Sequence, residues 1–537
     1  MGQTAGVTLT SDPPMREPVR LDDELAYRAL ESRDGRFDGR VWFGVTTTGI
    51  YCRPVCPAQT PKRPNVRFFA SPAAAVAAGF RACRRCRPDS APGSREWDHR
   101  SDLVARALRG IAEGAVDDAG VTGLAARLHV SERHLHRTLI ASVGVGPLQL
   151  ATSRRAQTAR LLIDETTLPI TDIAFAAGFT SIRQFNDVMR QQFGLPPSQL
   201  RRTPRTHLRA DDPDVVLRLN YREPYDLISM GRFLAGRTLR GVEEHVPDDD
   251  PWTHRRALRL RHSTVNITVS PIRDKPQMSV RVPGVDLRDI AELVARVRRW
   301  LDLDADPASI VDVLGNDDAL APLIAARPGA RVAQTPDAFE GVVRTVVGQQ
   351  ISVAGAITLL GRVVAAFGAG GTTSDTSEDR AASGLRHAAR LMPFPTAEQL
   401  AEVELADWRS WGFTTARAQT LMAMCESIVN GELDLGADRD EVAVRLRAIK
   451  GIGPWTTSYV ALRVLGDPDA FPATDLVVRR TAAALGIAGD DLMERAERWR
   501  PWRAYAATHL WTHQPTASPN RPTTPQTDPP HSDARTT

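Results

Sequence analysis

Four cysteines arranged as Cys52-x3-Cys56 and Cys83-x2-Cys86, with 26 residues between the pairs, constrain this chain more than any other feature. Each pair has the spacing of metal ligands, and four thiolates suit one tetrahedral zinc ion, Zn2+. Closing them on one ion joins two distant segments and adds folding energy that a domain of ~70 residues otherwise lacks. The fifth cysteine, Cys425, stands alone in the helical run MAMCES and reads as a small buried hydrophobe. No apolar run approaches the ~20 residues that span a bilayer, and the N-terminus lacks a signal-peptide core. A cytoplasmic protein without membrane partners is therefore expected, and in that reducing compartment the cluster is metal-binding rather than disulfide-bonded.

At 537 residues the chain needs several cores, roughly three or four domains. The cysteines fall in 20–90, and a polar connector covers 91–100. Amphipathic helical patterning runs from 101 to 202, followed by the connector RTPRTHLRADDPD at 202–214. Alternating runs such as ALRLRH, TVNITVS and MSVRV predict sheet in 215–300, and 301–514 reads as largely helical. A Gly/Ser/Thr-rich stretch at 368–380 reads as a surface insertion and 515–537 as a disordered tail. The fold class expected is multidomain α+β: a small zinc-bound α/β domain, an all-α tandem helix-turn-helix domain, then a sheet subdomain with a helical domain. Charge divides unevenly. Residues 1–210 carry 30 basic and 20 acidic side chains and 211–537 carry 38 and 44, which points the first half toward an acidic partner such as DNA.

The zinc cluster has two readings. A closed structural site is the commoner use of four cysteines, whereas an accessible zinc-bound thiolate is a nucleophile. The segments TTGIYCRP and GFRACRRCRPD, with the 26-residue gap, resemble the zinc domain of the Ada adaptive-response regulators. The resemblance implies that Cys52 accepts a methyl group from a DNA methylphosphotriester, with Cys56, Cys83 and Cys86 as the other ligands. Methylation would turn Cys52 from thiolate to thioether and remove one negative charge, so repulsion from DNA phosphates would fall. The PCHR methyltransferase motif usual in Ada regulators does not occur here, so O6-methylguanine repair is not expected.

VTGLAARLHVSERHLHRTL (121–139) and ITDIAFAAGFTSIRQFNDVMRQQFG (170–194) each read as helix, tight turn, helix. Ser131 is the N-cap of the first second-position helix, which carries Arg133, His134, His136 and Arg137; the later one carries Ser181, Arg183, Gln184 and Asn186. Such a helix enters the major groove, where Arg reads guanine and Gln or Asn reads adenine. One pair alone would be an ordinary packed helix pair. Two in tandem resemble the AraC family's paired DNA-binding motif, implying promoter DNA and, for activation, RNA polymerase as partners.

The helix EVAVRLRAIK, the turn Gly451-Ile452-Gly453 and a helix beginning near Trp455 form a helix-hairpin-helix pattern whose glycines let backbone amides approach a DNA phosphate. In AFPATDLVVRR, Asp475 opens another helix twenty-two residues beyond Gly453, where an ordinary N-cap is the plain reading. Together these resemble the HhH-GPD superfamily of base-excision glycosylases, in which that Asp is catalytic. LNYREPYDLISMGRFLAGR, VVRTVVGQQISV, IKGIGPWTTSYVALR and AERWRPWRAYAATHLW further resemble the AlkA type, 3-methyladenine DNA glycosylase II. The resemblance nominates Phe233, Trp455, Tyr459 and Trp511 as a pocket for a flipped, alkylated base, with core packing as the alternative for each. It places Gln349 and Gln350 at the DNA, Gln350 standing where the type has an apolar wedge. No lysine follows the hairpin where bifunctional members carry a Schiff-base lysine, so a monofunctional hydrolysis is expected.

The expectation is an alkylation-repair protein that excises 3-methyladenine-type purines and carries a methylation-activated transcription switch. Two alternatives stay open: a regulator whose glycosylase half only binds DNA, and a glycosylase whose zinc-bearing half is structural and tethers it to DNA.

Overall fold

The computed structural model describes residues 22–34, 37–88, 102–201, 214–246, 251–368, 391–489 and 491–513. The connectors at 91–100 and 202–213, the 368–380 insertion beyond Gly368 and the 515–537 tail lie outside the described residues.

The cysteine-bearing segment opens with the helix Asp23–Glu31 and builds a four-stranded sheet from β1 (Trp42–Val45), β2 (Ile50–Cys52), β3 (Val66–Phe69) and β4 (Arg81–Ala82). The order is β3-β1-β2-β4, antiparallel except for the parallel pair β2–β4. Two helix-turn-helix units follow, Ala115–Arg127 with Glu132–Val143 and Ile170–Ala176 with Ile182–Phe193, joined by the 19-residue helix Pro147–Glu165. The second helix of each unit starts where expected. Ser131 accepts from the His134 amide at 3.2 Å and Ser181 from the Gln184 amide at 3.4 Å, satisfying donors that a helix N-terminus leaves open. Leu135, Leu139 and Val143 in one, and Phe185, Met189 and Phe193 in the other, are buried at successive four-residue spacings, which turns the remaining faces outward.

The next segment is a five-stranded antiparallel sheet of β5 (Asp214–Asn220), β6 (Glu243–Val246), β7 (Thr253–Arg259), β8 (Thr264–Pro271) and β9 (Gln277–Pro283), in the order β5-β9-β8-β7-β6. Its strands alternate as period two requires: Val215, Leu217 and Leu219 point inward on β5, and Val265, Ile267 and Val269 on β8. The segment is not sheet alone. The helix Leu227–Ala235 lies between β5 and β6, because LISMGRFLA lacks β alternation and Asp226 caps it, accepting from the Ser229 amide at 2.9 Å. The helix Ile290–Trp300 then packs under the sheet, and helices dominate from there to Thr512.

One apolar core runs through three of these segments. It takes in Trp42, Tyr51 and Phe80 of the cysteine-bearing segment, Ala159, Leu162 and Phe185 of the helical one, and Leu217, Ile267 and Trp300 around the second sheet. A buried ionic knot joins that sheet to the helix Ala338–Val347. Arg256 donates to Glu243 at 2.8 Å and Glu340 at 2.6 Å, and Arg344 donates to the same two carboxylates at 2.9 Å and 2.8 Å. Burial works to raise the Glu243 carboxyl, but Arg344 and Arg256 hold it at about 2.

Candidate active site and metal centre

The sheet carries the metal centre. Cys52 ends β2 opposite Phe43, and Cys56 lies in the turn that follows, its amide bonded to the Arg53 carbonyl at 3.0 Å. Cys83 leaves β4 with its amide on the Tyr51 carbonyl at 3.0 Å, and Cys86 completes the next turn. The ligand atoms of all four cysteines lie within 4.8 Å of one another. A tetrahedral zinc–thiolate site needs sulfurs about 3.8 Å apart, so this soft donor set fits Zn2+. Cys52 is only 5% exposed, and Cys86 is the most open of the four.

The arginines around the centre divide by what they already hold. Arg53 grips the buried Asp38 with both Nε (2.6 Å) and a terminal nitrogen, and donates to the Cys86 carbonyl at 3.4 Å. Arg63 pairs with Asp23 and Glu24, and Arg87 with Asp164 at 2.6 Å. Arg84 and Arg85, in the turn between Cys83 and Cys86, are exposed. On the helix-turn-helix units Arg133, His134, Arg137, Ser181, Arg183 and Gln184 are exposed and Asn186 is half-buried. Gly178, at the second turn, has φ +91, a conformation that glycine enters without strain.

The helix-hairpin-helix is present as read. Helix Arg439–Ala448, capped by Asp438, is followed by helix Pro454–Arg463, capped by Gly453. Gly451 has φ +97, and a Cβ there would lie 2.3 Å from Thr420 Oγ1; beside Gly453 a Cβ would meet nothing within 4 Å. Gly451 is thus needed for the turn, whereas Gly453 leaves an open face beside its helix N-terminus. Gln350 is exposed with φ +57 at the tip of a turn. Gln349, paired with it in the sequence reading as DNA-facing, turns inward: its Nε2 donates to Thr456 Oγ1 at 2.6 Å and to the Gly451 carbonyl at 3.2 Å.

Asp475 is the N-cap of helix Leu476–Ala484, and its two oxygens converge on more donors than a cap requires. Oδ1 accepts from the Val477 and Val478 amides, each at 3.0 Å, and from Trp511 Nε1 at 2.9 Å; Oδ2 accepts from Trp455 Nε1 at 2.8 Å. Two indoles from separate helices, Pro454–Arg463 and Arg503–Thr512, therefore fix one carboxylate. Trp455 stacks on Tyr459 with centroids 5.1 Å apart, and Tyr459 meets Trp511 at 5.7 Å. Phe233 joins from the helix Leu227–Ala235 through a shared cation: the Arg463 guanidinium lies 4.6 Å from its ring centroid, 5.1 Å from Trp511 and 5.8 Å from Tyr459. All four aromatic residues nominated from sequence thus belong to one cluster against Asp475.

Two residues of this cluster, Arg463 and Arg237, escaped the sequence reading. Arg463 sits on the Trp455–Tyr459 helix at the four-residue spacing that places side chains on one face, a signal that was available. Arg237, 4.0 Å over the Phe233 ring, had no such signal. Leu476, the residue after Asp475, is 69% exposed. Cys425 is fully buried, and burial pushes its thiol up to about 12, so it stays a protonated core side chain.

Comparison with known proteins accounts for each segment. Residues 26–89 match the metal binding domain of Ada, 124–203 a helix-turn-helix domain, 216–337 the AlkA N-terminal domain and 343–504 the HhH-GPD superfamily of base excision DNA repair proteins. The chain is 45% identical over 498 residues to the Mycobacterium tuberculosis protein named probable bifunctional transcriptional activator/DNA repair enzyme AlkA, covering 91% of this chain and 96% of that protein. It is 30% identical over 295 residues to DNA-3-methyladenine glycosylase 2 of Escherichia coli, covering 55% of this chain and 95% of the relative. It is 32% identical over 187 residues to the E. coli bifunctional transcriptional activator/DNA repair enzyme Ada, covering 35% of this chain and 51% of the relative. An Ada-type zinc centre of four cysteines, tandem helix-turn-helix units and an HhH-GPD carboxylate in one chain, matched nearly end to end by one relative, place this protein in the AlkA family of bifunctional transcriptional activator/DNA repair enzymes.

Proposed function

We propose that the protein is a monofunctional glycosylase for alkylated purines of the 3-methyladenine type, coupled to a methyl-accepting transcription switch on double-stranded DNA. The observation that carries the first part is the Asp475 carboxylate, held by two indole N–H groups and two amides against four aromatic residues. A flipped nucleotide enters with its base among the rings and its sugar near Asp475. As the C1′–N bond breaks, its electron pair leaves with the base and positive charge develops on the sugar. The fixed carboxylate stabilises that charge and orients the water that adds to C1′. No lysine follows the hairpin to form a Schiff base, so the backbone is left uncut. The Gly453 face grips phosphate, and Gln350 fills the gap that the flipped nucleotide leaves.

At the other centre, a zinc ion held by Cys52, Cys56, Cys83 and Cys86 would keep their thiolates deprotonated at neutral pH. The Cys52 sulfur attacks the methyl carbon of a phosphotriester, the methyl–oxygen bond breaks, and its electron pair stays on the phosphate oxygen as a diester. Arg84 and Arg85 draw the backbone in, and loss of one negative charge at the cluster then strengthens binding. Arg133, His134, Arg137, Ser181, Arg183, Gln184 and Asn186 face the promoter grooves, and RNA polymerase is the partner that activation implies. The burial of Cys52 supports a second reading, a structural zinc that tethers the glycosylase to DNA.

One incubation with methylated duplex DNA tests both centres. The wild-type chain is expected to release 3-methyladenine, and Asp475→Asn to release it about a hundredfold more slowly or less. Equal release by both removes Asp475 from the chemistry. Mass spectrometry of the same sample is expected to find one added methyl on the Cys52 peptide. A methyl elsewhere, or none, returns the centre to the structural reading.

A further inference from the structure

The hairpin whose Gly453 face grips phosphate and the Gln350 side chain that fills the gap of a flipped base lie on separate stretches of chain, and one residue ties them together. Gln349 sits in the turn between the helices Ala338–Val347 and Val353–Gly368, immediately before Gln350. Its side-chain amide reaches the hairpin, donating to the Gly451 carbonyl at 3.2 Å and to Thr456 Oγ1 at 2.6 Å. Thr456 is buried, so this anchor lies inside the fold. The Gln349 carbonyl in turn accepts from the Arg417 guanidinium at 2.6 Å, which holds the turn from the helix Thr415–Val429 as well. The same helix holds the hairpin, with Thr420 Oγ1 2.9 Å from the Lys450 carbonyl. Gln350 itself has φ +57, a left-handed conformation that a residue with a side chain keeps only where its surroundings over-determine it. The bonds to Gln349 on both its side chain and its carbonyl supply that constraint.

We propose that Gln349 and Arg417 are positioning residues that fix Gln350 at a set offset from the hairpin, so that seating the DNA backbone on the hairpin drives Gln350 into the base stack. This rests on the reading of Gln350 as the residue that fills the gap. The argument is one of stiffness. Extruding a base costs its stacking and pairing, and a wedge offsets that cost only if it cannot retreat. A turn held solely by its two helix ends lets its tip yield. A tip bonded to the hairpin instead keeps its place relative to the phosphate contact. Losing one or two such hydrogen bonds, or letting the wedge shift by about 1 Å, costs on the order of tenfold to a hundredfold in rate.

The test uses the full chain on one lesion strand, carrying a single 7-methylguanine beside a 2-aminopurine, presented as a duplex and as a single strand. Single-turnover excision rates are measured on both, and the 2-aminopurine fluorescence of the duplex reports unstacking at the lesion. Only the duplex needs a wedge, so the ratio of the two rates separates wedge placement from damage to the base pocket. Gln349→Met keeps the length of the side chain and removes its amide. It is expected to lower the duplex-to-single-strand rate ratio about tenfold and to reduce the fluorescence rise on binding. Arg417→Met is expected to act in the same direction, and Arg417→Lys, which keeps a donor, to recover part of the loss. Arg417 is half-buried, so it carries the test if Gln349→Met fails to fold. A wild-type ratio and fluorescence in these variants, or rates that fall together on both substrates, overturn the proposal. Gln350→Ala is the control on the reading beneath it. If that variant keeps the wild-type ratio and fluorescence, the gap-filling role falls and the proposal with it; if it loses both while Gln349→Met does not, the proposal alone falls.

Discussion

At the scale of single residues, Asp475 is the position where a plain structural role and a chemical one coincide. An N-cap needs its side chain to accept from one or two amides, and Asp475 does so; the two indole donors have no part in capping. Those donors separate the roles experimentally. Trp511→Phe keeps a ring in the cluster but removes the N–H that reaches Oδ1. Its kcat for base release is expected to fall by about tenfold while KM changes little, read by single-turnover kinetics. A fall in KM-dependent binding with unchanged kcat would return Trp511 to simple stacking. The motif residues were legible without a structure because their spacing is local: the hairpin glycines, Trp455 and Tyr459 share one short stretch of chain. The convergence of Trp511 and Phe233 on them was legible only by resemblance, and Arg237 not at all, since nothing in LAGR distinguishes it from a solvated arginine.

At the scale of elements, the hairpin shows two glycines with opposite reasons for being glycine. Gly451 combines φ +97 with a Thr420 side chain that occupies the place of a Cβ. Gly453 has φ −108, which any residue adopts, and open space where a Cβ would stand. Gly451→Ala is expected to destabilise the chain by about 1–2 kcal/mol from the backbone alone, seen as a lower Tm. Gly453→Ala is expected to leave Tm nearly unchanged and to weaken duplex binding several-fold, because the added methyl stands where a phosphate approaches the helix N-terminus. Equal binding by Gly453→Ala and wild type would remove that face from the DNA contact. Element type followed from periodicity for the strands Thr264–Pro271 and Gln277–Pro283, whereas the run ALRLRH (257–262) overlaps the strand Thr253–Arg259 only in its first three residues. The helix Leu227–Ala235 was missed within its sheet-like surroundings because nine residues carry too little periodic signal to outweigh their neighbours.

At the scale of the whole molecule, the segments are docked rather than strung. Glu113 pairs with Arg299, Asp118 with Arg261 and Glu165 with Arg218, so three acids of the basic half are matched by arginines of the acidic half. Arg106 and Arg109 reach across to the Gly436 and Leu465 carbonyls, at 2.9 Å and 2.5 Å, just outside the two hairpin helices. The interface thus draws on both signs of the first half, Arg40 pairing with Asp306 as well, while Arg84, Arg85, Arg133, Arg137 and Arg183 stay exposed. Where the second sheet meets the helical segment, the buried ionic knot and His254 make the assembly acid-sensitive. Burial holds His254 neutral down to about 4, against an ordinary 6.5, so the unfolded chain binds a proton the fold refuses and stability declines as pH falls from 6.5 to 4. Glu243, held ionised down to about 2, adds a further loss between about 4.5 and 2. Urea midpoints at pH 7, 5.5 and 4 are expected to fall in that order, with a shallower fall for His254→Gln; parallel falls would exclude His254 as the cause. The sequence by itself determined the zinc ligands, the two helix-turn-helix units, the hairpin and the helix-opening Asp475, because each rests on spacings of a few residues or on one metal's demand for four thiolates. The tertiary structure alone decided that one core passes through three segments, that Trp511 and Trp455 fix Asp475 together, and that two arginines lie against the rings of the aromatic cluster. Those arrangements join residues tens to hundreds of positions apart, and only the packing of helices and sheets sets such distances.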